Sequence, residues 1–288
     1  MEAPDWSGKQ LRKLGEYLRN SENTDALPFS YNDVRLHFSS LAATVQSRIL
    51  EEDWRPLLGH RAFEVTSRAK TLDTVIEKLQ RDTSTPLSNI QDLAGVRFEA
   101  EMSLSQQDAV ASAIVAMFGD PQGERAIHDL RSNAHSGYRG VHVWLRLPQR
   151  VEVQVRTHLQ SAWANLYEEA GDYFGRKIRY GEFPDEPAES SLVEGLQTLS
   201  LEGIAQVEQV RESLLQKELQ LDDSARAAAR ADRLGIPRDE RTLSTHSQAI
   251  ELDQAFKAHR ETEQKLIRAL DGLKLDLRTM VGRRRSAS

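Results

Sequence analysis

The sequence predicts an α+β fold: a β-sheet flanked by helices, followed by a helical C-terminal extension. Three observations carry this. Val141–Leu147 and Val151–Arg156 alternate apolar and polar residues around the short polar break Pro148-Gln149-Arg150, the pattern of a half-buried β-hairpin. Val34, Phe38, Leu41, Val45 and Ile49 recur at helical spacing ahead of it. From Glu189 to Val281 helical periodicity dominates, and no strand pattern follows Arg156.

Residues 1–25 are polar and predict a loose helix. Tyr31–Trp54 predicts a long amphipathic helix ended by Pro56 and Gly59. Phe63–Arg68 predicts a short strand. Thr71–Gln80 predicts a helix burying Leu72, Val75, Ile76 and Leu79, and Thr83–Ser88 a loop around Pro86. Leu93–Ala100 reads as a strand with Gly95 inside it, and Leu104–Phe118 as a helix capped by Ser103 or Ser105. Gly119–Gly137 is long, polar and irregular, which marks a functional or disordered loop. After the hairpin, Leu159–Phe174 predicts a helix and Gly175–Pro187 a polar connector. The helical region breaks near Gly235-Ile236-Pro237. The organisation is then N-terminal helices over residues 1–58, a core over 59–188 and a helical extension over 189–288.

The bulk numbers narrow the class. The chain has 288 residues, 39% of them hydrophobic, and a mean hydropathy of −0.56. It contains no run of about 18 apolar residues, so no membrane partner is expected. The N-terminus lacks a charged segment followed by an apolar one, and there is no cysteine, so disulfides and thiolate-zinc sites are excluded and a cytoplasmic location is expected. A net charge of −6 argues against a basic coat for nucleic acid but leaves room for a local basic pocket. Arg283-Arg284-Arg285 reads as a solvated tail in preference to a nucleic-acid contact.

The hairpin carries the chemistry. One face holds the valines and leucines; the other holds His142, Trp144 and Arg146 on the first strand and Glu152, Gln154 and Arg156 on the second. A carboxylate, an amide and a guanidinium in a row suit a metal ion and a phosphorylated ligand. The competing reading is an antiparallel strand pair with one solvated face. Arg68 and Lys70 stand at the mouth of the helix that begins near Thr71, where backbone N–H groups already favour an anion, and Lys78 follows two turns along. Their alternative is an ordinary basic helix start, which the helix dipole disfavours. Asp92-Leu93-Ala94-Gly95-Val96-Arg97 sets a carboxylate at the mouth of a strand whose small residues allow close approach. Asp92 is either a cap or, paired with Glu152, a Mg²⁺ ligand beside phosphate oxygens. Tyr138, between Gly137 and Arg139, either stacks on a nucleobase or anchors the loop to the core.

The order of these motifs resembles the synthetase domain of the RelA/SpoT family, the (p)ppGpp synthetases, over about residues 63–170. The carriers are Arg68, Lys70, Thr74-Val75 and Lys78; Asp92–Arg97; Gly137–His142; Glu152–Thr157; and Trp163-Ala164. The resemblance implies a nucleotidyltransferase-like mixed sheet flanked by helices. It also implies transfer of the β,γ-diphosphate of ATP to a ribose 3′-hydroxyl of GDP or GTP. Arg68, Lys70, Lys78 and Arg97 would then hold ATP phosphates. Asp92 and Glu152 would be the catalytic pair and hold Mg²⁺, with Glu152 also deprotonating the hydroxyl. Tyr138, His142, Gln154 and Arg156 would bind the acceptor.

The chain departs from the family pattern at Ser161, where Asp or Asn is common, and at Tyr167-Glu168, where Glu-His is common. Both departures fall on the acceptor side. They keep open a second reading, a toxin that places the diphosphate on the 3′ end of tRNA, with Arg125, Arg131, Arg139, Lys177 and Arg179 as candidate phosphate contacts. A third reading is a non-catalytic nucleotide-binding or helical interaction protein. His128-Asp129 resembles the hydrolase pair of the family's long members but lacks companion residues, so the chain is expected to be a small stand-alone synthetase. A second copy of the chain or an antitoxin protein is the remaining partner expected.

Overall fold

The computed structural model describes residues 4–24, 26–132, 135–233 and 241–287. The chain divides into two compact units: residues 1–101, 106–130 and 140–156 form the first; 102–105, 131–139 and 157–288 form the second. The architecture is α+β, a mixed five-stranded sheet flanked by helices with a C-terminal helical extension. The expected organisation differs from this in two ways. The N-terminal helices belong with the sheet, and the division falls at Arg156/Thr157, not at 188/189. The cause is local: Thr157 ends a strand and caps the next helix, so no linker separates them.

The first unit opens with α1 (Gly8–Asn20), a regular helix where a loose one was expected. A capping box between Ser7 and Gln10 closes its N-terminus, and Leu11, Leu14 and Leu18 are buried along one side. Gly15 is required by packing, because a Cβ there would lie 2.6 Å from Leu87 Cβ. α2 (Tyr31–Leu50) also begins with a capping box, Ser30 with Asp33, and buries Val34, Phe38, Leu41, Val45 and Ile49. It ends earlier than expected. Trp54 turns back, donates its indole N–H to Ile49 O at 2.8 Å and packs edge-on against Phe98. A short α3 (Arg55–Leu58) leads into β1 (Phe63–Ala69), and α4 (Leu72–Arg81) follows. Then come β2 (Ala94–Ala100), α5 (Leu104–Phe118), β3 (Ile127–Asp129), β4 (Val141–Arg146) and β5 (Arg150–Thr157).

The strand order is β1-β2-β5-β4-β3, with β1/β2, β3/β4 and β4/β5 antiparallel. Strand β3 lies inside the segment expected to be irregular. Its three residues are too few to show a period. Val141, Val143, Leu145, Val151, Val153 and Val155 are completely buried, each stabilising the unit by roughly 1.5–3 kcal/mol. The register pairs Val143 with Val153 and Trp144 with Glu152, so the alternation that fills the core places the polar set together on the opposite face. Buried Gln107 is satisfied by donating to Val155 O at 2.8 Å.

The second unit is built on α6 (His158–Phe174), α7 (Pro187–Thr198), a π-helical stretch Leu199–Ile204, α8 (Ala205–Arg233) and α9 (Arg241–Ala287). Its core gathers Leu159, Trp163, Leu166, Tyr167, Val193, Ile204 and Leu270. The break expected at Gly235-Ile236-Pro237 lies outside the described residues, as do the side chains of Arg283, Arg284 and Arg285. No helix among the described residues is long and apolar enough to cross a membrane.

Candidate active site

Strand β5 supplies the central carboxylate. Glu152 is 6% exposed, and both of its oxygens are engaged. His142 Nδ1 lies 3.0 Å from Oε1, Trp144 Nε1–H donates to the same oxygen at 3.2 Å, and Gln154 Nε2 donates to Oε2 at 2.7 Å. Arg156, also buried, extends the chain by donating to Gln154 Oε1 at 2.6 Å. Burial pushes the Glu152 carboxyl up. The bonds from His142 and Gln154 and the charge of Lys78 outweigh it and hold the group below the usual carboxylate range. Glu152 is therefore a buried anion with little affinity for a proton.

The second carboxylate, Asp92, lies just before β2. Lys70 Nζ is 2.9 Å from Oδ2 and Lys78 Nζ is 3.0 Å from Oδ1. Lys70 leaves the end of β1 next to Ala69, which pairs with Ala94, and Lys78 comes from α4. Tyr31 fixes this corner by donating its phenol to Lys70 O at 2.8 Å, and burial pushes that phenol up to about 12. Arg68 pairs with Gly95 across β1 and β2; its side chain lies outside the described ones.

A cavity of about 220 Å³ is lined by both carboxylates together with Thr66, Ser67, Lys70, Gly95, Arg97 and Gln154. The donor set fits Mg²⁺, which commonly takes one or two carboxylates from protein and completes its octahedron with water and phosphate oxygens. Among the described residues no three His, Asp or Glu side chains gather into a ready-made metal cage. The cavity thus unites Lys70, Asp92, Arg97, Glu152 and Gln154. Lys78 enters through Asp92, and His142 and Arg156 enter through Glu152 and Gln154.

Tyr138 is placed differently. It belongs to the second unit, where its ring packs against the cluster around Trp163, as in the loop-anchor reading. Trp163 stacks on Tyr167 at 4.6 Å and donates to Leu196 O at 2.7 Å; Tyr167 accepts from Gln197 at 2.8 Å. Ser161 is 3% exposed. Ser161 and Tyr167 therefore sit in a packed helical core, while Glu168 is half-buried. Gly137 is held in the left-handed region at φ +80°, and a Cβ there would meet the Trp163 ring at 2.8 Å and Gln197 Cα at 3.0 Å. Gly137→Ala should destabilise the second unit by more than about 1 kcal/mol from backbone strain alone, read as a fall in Tm.

Two residues of the neighbourhood had no role assigned from sequence. Trp144 was visible on the polar face but unconnected to Glu152. His128, on β3 opposite His142, packs its ring 3.7 Å from the Trp144 ring centroid. Burial, then the charge of His142, lowers the His128 pKa, with Glu152 opposing.

Residues 67–174 match the model described as a region found in RelA / SpoT proteins. An uncharacterized protein of Mycobacterium tuberculosis, Rv1366, is 46% identical over 197 residues, covering 68% of this chain and 70% of that one. A GTP pyrophosphokinase family protein from Streptococcus pneumoniae is 18% identical, covers 64% of this chain and 93% of its own, and superposes with a TM-score of 0.47. For small alarmone synthetase 1 from Bacillus subtilis the corresponding values are 18%, 66%, 94% and 0.42. The chain belongs to the RelA/SpoT family.

Proposed function

We propose that the protein is an ATP-dependent pyrophosphotransferase that moves the β,γ-diphosphate of ATP onto the ribose 3′-hydroxyl of GDP or GTP, giving (p)ppGpp. The observation that carries this reading is the single cavity containing both Asp92 and Glu152 beside Lys70 and Arg97. Bound Mg²⁺ would supply charge neutralisation for the transferred diphosphate. Asp92 and Glu152 would hold it. Lys70 and Lys78, which pair with the Asp92 carboxylate, would hold phosphate oxygens. Arg97 and Arg68 would complete the phosphate clamp. Gln154, Arg156 and His142 would face the acceptor, with the low proton affinity of Glu152 keeping its carboxylate available to the cation.

Transfer to the 3′ end of tRNA remains the rival. Several of the cations proposed for a tRNA surface are engaged inside the second unit. Arg139 is 5% exposed and paired with Glu208, and Arg131 donates to Leu104 O at 3.2 Å. Arg179 donates to Glu168 O at 2.8 Å, whereas Lys177 stays 80% exposed in a surface pair with Glu182. This supports a free nucleotide as acceptor. Incubation with ATP and Mg²⁺, in parallel with GDP, GTP and tRNA, tests it: labelled phosphate should appear in ppGpp or pppGpp. Label on tRNA alone would select the rival, and label on none of them would reject both.

A further inference from the structure

We infer that Trp144 is a positioning residue for the Glu152 carboxylate, held in place by His128 on the edge strand. The inference rests on the proposed transfer for its kinetic consequence but not for its geometry. A glutamate side chain has three rotatable bonds, and a carboxylate that must meet a cation and a polyphosphate gains from being fixed before they arrive. Three donors fix this one. His142 and Gln154 come from the family motifs, while Trp144 is an addition, donating its indole N–H to Oε1 at 3.2 Å.

The sheet register explains why an indole fits here. Trp144 stands directly opposite Glu152, and His128 stands opposite His142, two residues earlier on β4. His128 and Trp144 are thus diagonal cross-strand neighbours, close enough for large rings to touch. Their centroids are 3.7 Å apart with planes inclined by 33°. Trp144 is 36% exposed, while His142 and Glu152 on the same face are buried. The His128 ring therefore supplies the wall that keeps the indole from rotating away from Oε1. A run from β3 through β4 to β5 braces the carboxylate: His128, Trp144, Glu152.

The test separates this brace from ordinary packing. Trp144→Phe keeps an aromatic ring against His128 but removes the N–H. In the transfer assay it should lower kcat by about tenfold to a hundredfold, the loss of one hydrogen bond to a charged group, with KM for ATP changed by less than about threefold. A Phe variant with wild-type kcat overturns the inference. An activity-free readout is the indole proton resonance of Trp144 in the full chain, identified by its disappearance in Trp144→Phe. In Glu152→Gln it should move upfield as its acceptor loses charge, while the resonances of Trp54 and Trp163, bonded to backbone carbonyls, stay in place. An unmoved Trp144 resonance also overturns the inference. A moved resonance in a protein that transfers no diphosphate upholds the brace and rejects the proposed reaction alone.

Discussion

Asp92→Asn should lower diphosphate transfer by about 10³-fold or more while leaving the fold intact. The substitution removes one of the two carboxylates lining the cavity and leaves the other. An amide is a poor ligand for a hard dication, and the neutralisation lost is worth several kcal/mol in a transition state that spreads charge over phosphate oxygens. About 4 kcal/mol corresponds to 10³ in rate. The effect on stability should be about 1–3 kcal/mol, because the two lysines that lose their partner are 22% and 32% exposed, between a surface pair and a fully buried one. The measurement is kcat across a Mg²⁺ titration together with Tm. A variant that keeps wild-type kcat at ordinary Mg²⁺ would remove Asp92 from the metal site and with it the proposed chemistry. A non-catalytic nucleotide-binding protein predicts the opposite result, a cellular effect that survives the change.

The polar face of this site was readable because two periodicities coincide in it. Along β4 and β5 every second residue is an aliphatic that the core requires, so the residues between them had to share the other face. The antiparallel register then brought His142, Trp144, Glu152 and Gln154 within bonding distance. Motif order supplied Lys70, Lys78 and Asp92, and the structure joins them as one ion-paired group. What could not be read depends on contacts distant in sequence or on segments too short to have a pattern. Strand β3 has three residues, and His128 within it gains its place only from pairing with β4. Tyr138 had two readings with the same local sequence, and its packing against the cluster around Trp163 is a contact between residues distant along the chain. Tyr31 was read only as the start of a helix. Its hydroxyl reaches Lys70 across 39 positions. Trp54 was expected as the last residue of that helix but folds back over Ile49 instead.

Glu208→Gln should destabilise the second unit by about 3–5 kcal/mol, although it changes one atom on a helix far in sequence from the family motifs. Glu208, on α8, lies 2.6 Å from Arg139, with side-chain exposures of 4% and 6%. It also accepts the Thr157 hydroxyl at 2.6 Å, and Thr157 is the N-cap of α6. One carboxylate thus neutralises the arginine of the Gly-Tyr-Arg motif and orients the residue at which the strand bearing Glu152 turns into helix. Glutamine keeps the volume but not the charge, leaving the Arg139 guanidinium buried without a counter-ion. That cost exceeds any worth of the pair itself, since desolvating two ions offsets most of their attraction. At about 2–4 °C per kcal/mol for a unit of this size, Tm should fall by roughly 6–20 °C. Replacing both partners by apolar residues of similar volume, Arg139→Met with Glu208→Leu, should recover most of the loss, because no charge is then stranded. A Glu208→Gln variant within about 1 kcal/mol of the parent would show that water reaches Arg139. The arginine would then be free to serve as the phosphate contact that the tRNA reading requires of it.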